Sequence, residues 1–176
     1  MESTNHHQFM ELYMPVHKQL SQFCRAISGN KKDAEDLMND TILATLECLD
    51  KLKDKSSFKS YIFSIACNLN KMRFRRAKFH VEYNEREIAT IMDDGCDPEQ
   101  TTDFGIIYEQ MLSLPGKMAE ALILFHISDL PIEEIQKIQG GSLSGVKLRL
   151  KRGREKLLKS LNTKKQRIAA LLFFNL

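Results

Sequence analysis

Basic side chains are concentrated in one stretch of the sequence, where they could bind phosphate groups. Between Ser142 and Arg167 there are ten lysines and arginines and a single acid, Glu155. A helix with this charge is suited to lie in the major groove of DNA, with its Lys and Arg side chains on the phosphates. The alternative interpretation is a solvated surface helix whose charges bind no partner.

The elements that must position these basic residues read as two helices joined by a tight turn. Ile132, Ile135 and Ile138 give the first helix an apolar face, and Gly140-Gly141 ends it. Ser142 is a candidate N-cap for the second helix. An apolar stripe along that helix is formed by Val146, Leu150, Gly153, Leu157 and Leu161. The pattern predicts a helix-turn-helix, and the residues predicted to face away from the stripe or to flank it include Ser144, Lys147, Leu148, Arg149, Lys151 and Arg152.

A second stretch that could contact nucleic acid is the helix predicted from Phe58 to Phe79. It begins with Phe58, Tyr61 and Phe63 and ends with Lys71, Arg73, Arg75, Arg76 and Lys78. Aromatic rings can stack on unpaired bases while basic side chains follow the backbone. Aromatic residues at helical spacing also build cores, so both interpretations stay open for Phe58 and Tyr61, whereas Phe63 is predicted to be a core residue.

Acidic residues mark one face of the helix predicted from Lys32 to Leu52. Asp33, Asp36 and Asp40 recur at spacings of three and four, opposite an apolar face. Taken by themselves, these residues favour a solvated acidic face near the positive helix end. A catalytic carboxylate pair is disfavoured, because no histidine, lysine or metal ligand accompanies them.

Composition restricts the class of protein. The 176 residues are 43% hydrophobic and 28% charged, with a net charge of +3, which is typical of a soluble globular chain. The segment 82–109 carries nine acids and one base. Basic blocks on both sides of an acidic segment indicate a polyanionic partner.

Four widely spaced cysteines form no CxxC pair, so no metal site is predicted, and a reducing cytoplasm is expected. No signal peptide is evident, and the apolar run 168–174 is too short to span a membrane.

The predicted fold class is all-α, with no competing strand pattern. Two small helical domains, residues 1–80 and 103–161, are predicted on either side of an acidic linker, residues 81–102. The helix-turn-helix belongs to the second domain, in which further helices are predicted at 103–112 and 116–127. A basic and then apolar tail, residues 162–176, is expected to pack back onto that domain. A regulator-binding or membrane-surface helix is the alternative for the tail.

Three stretches, in this order, resemble the extracytoplasmic-function (ECF) group of bacterial RNA polymerase sigma factors. Asp33-Ala34-Glu35-Asp36-Leu37 with Asp40-Thr41 is similar to the group's acidic helix. Residues 58–76, FKSYIFSIACNLNKMRFRR, resemble its aromatic-to-basic segment. Leu114-Pro115 followed by residues 132–150 resembles its closing helix-turn-helix.

The resemblance implies a role for each matched residue. The acidic helix would dock the largest-subunit clamp of core RNA polymerase through Asp33, Glu35, Asp36 and Asp40. The melted minus 10 element would be held by Lys55, Ser56, Ser57, Phe58, Tyr61, Asn68, Lys71, Arg73, Arg75 and Arg76. The minus 35 duplex would be read by Ser142, Ser144, Lys147, Leu148, Arg149, Lys151 and Arg152.

The partners implied are core RNA polymerase, promoter DNA and an anti-sigma factor. The resemblance further implies a cytoplasmic protein that acts as one copy, with no cofactor, no metal and no catalytic residue. The chain departs from the family in having no tryptophan near Tyr61, and in Gly145 and Leu148, where threonine and serine are common.

Other classes explain less of the sequence. A stand-alone, dimeric helix-turn-helix regulator would leave the acidic helix and the aromatic-to-basic helix without a role. An adaptor that binds only proteins would leave the basic helix unexplained. An enzyme is disfavoured, because no nucleophile with its base, metal cluster or phosphate-binding glycine loop is present.

Overall fold

The computed structural model describes residues 2–28, 30–77 and 98–173, which form eight α-helices and no strand. The helices are α1 (Glu2–Ser28), α2 (Lys31–Glu47), α3 (Phe58–Ala77), α4 (Pro98–Leu112), α5 (Gly116–Leu122), α6 (Ile132–Gln139), α7 (Leu143–Ser160) and α8 (Lys164–Phe173). Short 3₁₀ turns lie at Leu49–Lys51 and Lys55–Ser57, and a π-helical turn at Ile123–Ile127 extends α5. The predicted all-α class is confirmed.

The first helix group, α1 to α3, packs as three mutually contacting helices. Its core contains Leu20, Phe23, Leu37 and Phe63, each fully buried, and the rings of Phe23 and Phe63 meet edge to face with centroids 5.5 Å apart. Pro15 lies inside α1 on its exposed side and does not divide the helix. Burial of one apolar face therefore outweighs the hydrogen bond that the proline removes.

Helix α2 ends five residues earlier than predicted, at Glu47. The chain then tightens into the 3₁₀ turn that buries Leu49. At the other end, Asn30 is the N-cap, and its side-chain oxygen accepts a hydrogen bond of 2.8 Å from the Asp33 backbone N–H. The cap places the acidic residues of α2 directly after a defined start.

In the second helix group, α4 to α8, helix α7 packs on α4, α5 and α6. Gly153 of α7 lies against Leu122, and a Cβ at this position would be 3.2 Å from Leu122 Cδ1. The close approach explains why a glycine occupies the apolar stripe. Helix α8 packs on α4 and buries Ala170, which agrees with the expectation that the tail packs back.

Helix α4 begins at Pro98, five residues before the start predicted for it at residue 103. Proline is tolerated in the first helical turn, where its missing N–H has no partner. The remainder of the predicted linker, residues 81–97, lies outside the described residues. The two helix groups also contact each other: α6 packs on α3, and α1 packs on the Ile123–Ile127 turn, so that one apolar core runs through both.

Candidate nucleic-acid interface

Helix α7 presents the predicted basic surface to solvent. Ser142 is its N-cap, as predicted, and its hydroxyl oxygen accepts a hydrogen bond of 3.1 Å from the Gly145 N–H. Val146, Leu150 and Leu157 are buried, which turns the opposite side of the helix outward. The exposed residues of the predicted minus 35 set are Ser142, Ser144, Lys147, Leu148, Lys151 and Arg152.

Arg149, the remaining member of that set, is half-buried. Its Nη1 donates a hydrogen bond to the side-chain oxygen of Gln139 in α6. Arg149 therefore links the two helices of the helix-turn-helix in this conformation.

The turn between α6 and α7 depends on two glycines with positive φ. Gly140 has φ 72° and ψ 175°, and Gly141 has φ 90°. Side-chained residues rarely adopt this backbone, whereas glycine does so without a steric penalty. The Gln136 side chain donates a hydrogen bond of 2.8 Å to the Gly141 carbonyl. These features fix the direction in which α7 leaves the turn.

The loop before α3 carries the first residues of the predicted minus 10 set. Lys55 and Ser56 are exposed, and Ser57 is half-buried. Asp54 accepts hydrogen bonds from the Ser56 N–H at 2.9 Å and from the hydroxyls of Ser56 and Ser57. The hydrogen bonds from Ser56, followed by that from Ser57, lower the pKa of Asp54, because they stabilise the carboxylate. The Asp54 carboxylate therefore holds the loop in place through these hydrogen bonds.

Phe58 corrects the minus 10 prediction, because it is a core residue. Its side chain is 2% exposed and meets the Phe9 ring edge to face, with centroids 5.9 Å apart. Such a ring has no free face for a base, so we do not retain Phe58 as a contact. Tyr61 is half-buried and Asn68 is exposed, so these two side chains of α3 remain accessible.

Some of the basic side chains at the end of α3 are bound to other residues of the protein. Lys71 Nζ lies 3.1 Å from a carboxylate oxygen of Glu120, whose side chain is 5% exposed. Arg73 contacts α2, donating to the Asp33 carbonyl at 2.9 Å and to Asp40 Oδ2 at 2.6 Å. Arg75 is exposed, whereas the Arg76 side chain falls outside the described residues. Lys71 and Arg73 are therefore engaged within the protein here.

The acidic face of α2 is accessible. Asp33, Glu35, Asp36 and Asp40 are all exposed, while Ala34, Leu37, Thr41 and Thr45 pack inward. One residue of this face was missed by the reasoning from sequence. Leu43 is 58% exposed and lies three residues after Asp40 and seven after Asp36. An apolar residue at that spacing on an acidic face is the signal that would have indicated it.

Other kinds of site find little support in the described part of the chain. Within it, no three His, Cys, Asp or Glu side chains are grouped to hold a metal ion. Within the same residues, no helix combines the length and apolarity that crossing a membrane requires. Three charged surfaces remain as candidate sites. They are the cationic face of α7, the loop and outer side of α3, and the acidic face of α2.

Comparison with known proteins finds matches that cover both helix groups. Residues 12–80 match the family model of Sigma-70 region 2, and residues 104–157 match that of Sigma-70 region 4. SigW, an ECF RNA polymerase sigma factor of Bacillus subtilis, is 29% identical over 153 residues, covering 80% of this chain and 81% of SigW. EcfG, an ECF RNA polymerase sigma factor of Rhodopseudomonas palustris, is 30% identical over 140 residues, covering 78% of this chain and 76% of EcfG.

The fold is also shared with a solved structure, that of the sigma factor RpoE in complex with the anti-sigma factor NepR from Bartonella quintana. The TM-score is 0.68 at 22% sequence identity, and the match covers 86% of this chain and 94% of the matched chain. Sequence and fold lead to the same assignment. The chain belongs to the ECF RNA polymerase sigma factors, which direct promoter-specific initiation of transcription by RNA polymerase.

Proposed function

We propose that the three charged surfaces divide the work of this sigma factor. The acidic face of α2 docks core RNA polymerase through Asp33, Glu35, Asp36 and Asp40, with Leu43 as an apolar contact among them. The observation that carries this proposal is the exposure of all four carboxylates on a helix whose other side is buried. Exposed charges can steer a partner of opposite charge into position.

The minus 10 element is assigned to the loop before α3 and the outer side of that helix. We propose that Lys55, Ser56, Ser57, Tyr61, Asn68, Lys71, Arg73, Arg75 and Arg76 contact the melted strand. Base stacking on an aromatic ring stabilises such a complex by about 1–3 kcal/mol per base. Tyr61 is the aromatic residue of this set that remains partly accessible.

The minus 35 element is assigned to the outer face of α7. Exposed Lys147, Lys151 and Arg152 suit the phosphates, and exposed Ser144 and Leu148 suit the base edges between them. Ser142 and Arg149 flank this face. The domains proposed for these tasks are residues 1–80 and 103–161, the second extended back to residue 98 because α4 begins at Pro98.

Polymerase binding is the first property to test, by gel filtration of the protein with core RNA polymerase. The double variant Asp33→Lys and Asp36→Lys reverses two charges on the docking face and is expected to abolish co-elution. The matched control, Glu11→Lys with Glu109→Lys, makes the same charge change at exposed positions outside α2. Equal binding by both variants would refute the docking face, and failure of the wild type to bind would refute the proposed function.

The proposed function also implies the cellular compartment in which the protein acts. RNA polymerase works in the cytoplasm, and the described cysteines Cys24, Cys48 and Cys67 are free thiols, as a reducing compartment favours. The family consists of non-catalytic initiation factors, so the protein is proposed to catalyse no reaction. It is also proposed to act as one copy.

An anti-sigma factor is proposed as a further partner, because the structurally similar RpoE was solved with the anti-sigma factor NepR. Such a partner is expected to block co-elution with core polymerase when it is added in equimolar amount.

A further inference from the structure

Helix α8 is held in one orientation by contacts at its start and along one side. The Thr163 hydroxyl accepts a hydrogen bond of 3.2 Å from the Gln166 N–H, and the Gln166 side-chain oxygen accepts one of 3.2 Å from the Thr163 N–H. This reciprocal pair is a capping box. Arg167 Nε donates to the Leu161 carbonyl at 3.1 Å, and Ala170 is fully buried where α8 packs on α4. These contacts determine which side of α8 faces outward.

Two apolar side chains lie on that outward side. Ile168 is 48% exposed and Leu171 is 37% exposed. At about 100° per residue, Leu171 lies about 60° from Ile168 around the helix, whereas the buried Ala170 lies about 160° away. In the sequence, the apolar run continues from Leu171 through residue 174. Ile168 and Leu171 therefore form an apolar strip on the side of α8 opposite its packed side.

Basic side chains flank this strip. At about 100° per residue, Lys164 lies about 40° from Ile168, while Lys165 and Arg167 lie about 60° and 100° away in opposite directions. All three basic residues are exposed, and the sequence has no acid between residues 156 and 176. Basic residues near the start of a helix are opposed by its dipole, so helix stability does not account for them. We call the strip and these three residues the outer face of α8.

The outer face of α8 has the chemistry of a helix that lies on an anionic lipid bilayer. Apolar side chains of such a helix enter the boundary between head groups and acyl chains, while Lys and Arg hold their charged ends at the lipid phosphates. A DNA backbone offers phosphates but no apolar layer in which Ile168 and Leu171 could be buried. The basic residues are spread over about 160° of the helix, which suits a broad anionic surface better than one acidic peptide.

We propose that the outer face of α8 binds the anionic surface of a lipid bilayer, so that the protein associates peripherally with the membrane. The cytoplasmic leaflet has a negative surface potential, which attracts basic segments. The apolar strip is smaller than one acyl chain, whose binding constant is about 10⁴ M⁻¹, so the association is reversible. The outer face contains none of the residues assigned to core polymerase or promoter DNA, so the proposal does not depend on those assignments.

Vesicle flotation of the whole chain measures this binding. The vesicles consist of phosphatidylcholine alone, or with about one third of the anionic lipid phosphatidylglycerol, at about 1 mM total lipid. Wild type is expected to float with the anionic vesicles and to stay in the lower fractions with the neutral ones. Raising the salt from about 0.1 M to about 1 M should release the protein, because screening shortens the range of the attraction.

Two double variants separate the apolar contribution from the charged one. Ile168→Gln with Leu171→Gln keeps every charge but removes the apolar strip, and should lower vesicle binding about tenfold. Lys164→Gln with Lys165→Gln keeps the strip, and should lower binding roughly 25-fold, or about fivefold for each lysine.

Each double variant has a matched control outside α8. Met10→Gln with Met14→Gln removes two exposed apolar side chains one turn apart on α1. Lys31→Gln with Lys32→Gln removes two exposed lysines from the start of α2, just as Lys164 and Lys165 stand at the start of α8. Both controls are expected to bind vesicles like wild type. Circular dichroism checks that every variant keeps its helices, and if one α8 variant does not, the other decides.

Several results would overturn the proposal. One is a wild type that does not float, or that floats equally well with neutral vesicles. Another is equal flotation of wild type and the Ile168–Leu171 variant, since the cationic face of α7 would then account for the binding. Losses in the controls as large as those in the α8 variants would also overturn it. Light scattering tests the last alternative: a dimeric wild type that becomes monomeric in the Ile168–Leu171 variant would assign the strip to a second copy of the chain.

Discussion

Leu148 places an apolar side chain on the cationic outer face of α7. It is 45% exposed, and its neighbours along that face include Lys147, Lys151 and Ser144. Thymine is the base that offers a methyl group in the major groove. On the proposed minus 35 face, Leu148 is therefore expected to favour one base through an apolar contact, without a hydrogen bond.

The substitution Leu148→Ser is expected to change the preference at one minus 35 position. Loss of an apolar contact about the size of one methylene costs about 0.8 kcal/mol, which is roughly a fourfold loss of discrimination. Transcription from a set of promoters varied at each minus 35 position measures this preference. Leu143→Ser is the control, because Leu143 is 36% exposed at the start of the same helix. An identical preference profile for wild type and Leu148→Ser would refute the contact.

His126 is the residue with the clearest pH dependence. Burial, followed by the nearby Arg154, lowers the pKa of its imidazole from 6.5 to about 4. The His126 ring takes up a proton at higher pH in the unfolded chain than in the folded protein. The neutral ring therefore makes its full contribution to stability above pH 6.5. This contribution is lost as the pH falls from 6.5 toward 4.

The Tm is therefore expected to decrease over that pH range, and less so in His126→Asn. The full shift corresponds to about 3.4 kcal/mol, and we discount it to about 1–2 kcal/mol because the ring is only partly buried. At about 2–4 °C per kcal/mol, the fall in Tm between pH 6.5 and pH 4 should be roughly 2–8 °C larger for the wild type than for His126→Asn. Differential scanning fluorimetry measures it, with His6→Asn at an exposed position as the control. Equal slopes for wild type and His126→Asn would contradict the assignment.

At the scale of elements, α8 completes the second helix group. Ala170 is fully buried, and α8 packs on α4, whereas Ile168 on the same helix is 48% exposed. The packed face of α8 therefore stabilises the group, and the other face stays open to solvent.

Ala170→Glu is expected to lower the free energy of unfolding by about 2–4 kcal/mol, because it buries a charge without a partner. The corresponding fall in Tm is roughly 4–16 °C. Ile168→Glu adds the same charge two residues away in solvent, and should shift Tm by no more than about 2 °C. Thermal unfolding followed by circular dichroism compares the two variants. Similar Tm values would mean that α8 does not stabilise the protein by packing.

Helices with a long apolar stripe could be predicted from sequence, whereas some of their ends could not. The stripe of α7 and its Ser142 cap were both predicted, because capping and helical spacing are local properties. The early end of α2 was not predicted, because burial of Leu49 favours a 3₁₀ turn over a further helical turn. The start of α4 was missed because its first residues have the polar composition of a linker.

Contacts between distant parts of the chain could not be predicted either. Phe58 and Tyr61 share the same aromatic pattern, and Phe58 is the buried ring because it packs into a core that includes the distant Phe9. Glu120 gave no signal, because its partners Lys71 and Gln139 lie 49 and 19 residues away.

At the scale of the whole molecule, the apolar core passes from one helix group into the other. Cooperative unfolding follows shared burial, so the two groups are expected to unfold together even though each resembles a separate domain. Differential scanning calorimetry of the wild type should show a single transition, with the calorimetric and van't Hoff enthalpies equal. Two resolved transitions would show that the groups do not share a core in solution. Glu109→Gln should reproduce the single transition, since that side chain is exposed.

Under the proposed assignments, the pairing of Arg73 with Asp40 would couple polymerase docking to DNA binding. Asp40 lies on the face proposed to dock polymerase, while Arg73 belongs to the minus 10 set, and their side chains meet at 2.6 Å. If polymerase engages Asp40, Arg73 is released for DNA, and DNA that engages Arg73 releases Asp40 in turn. A partly exposed ion pair is worth up to about 1 kcal/mol. Each ligand would therefore raise the affinity for the other by the same factor, up to roughly fivefold.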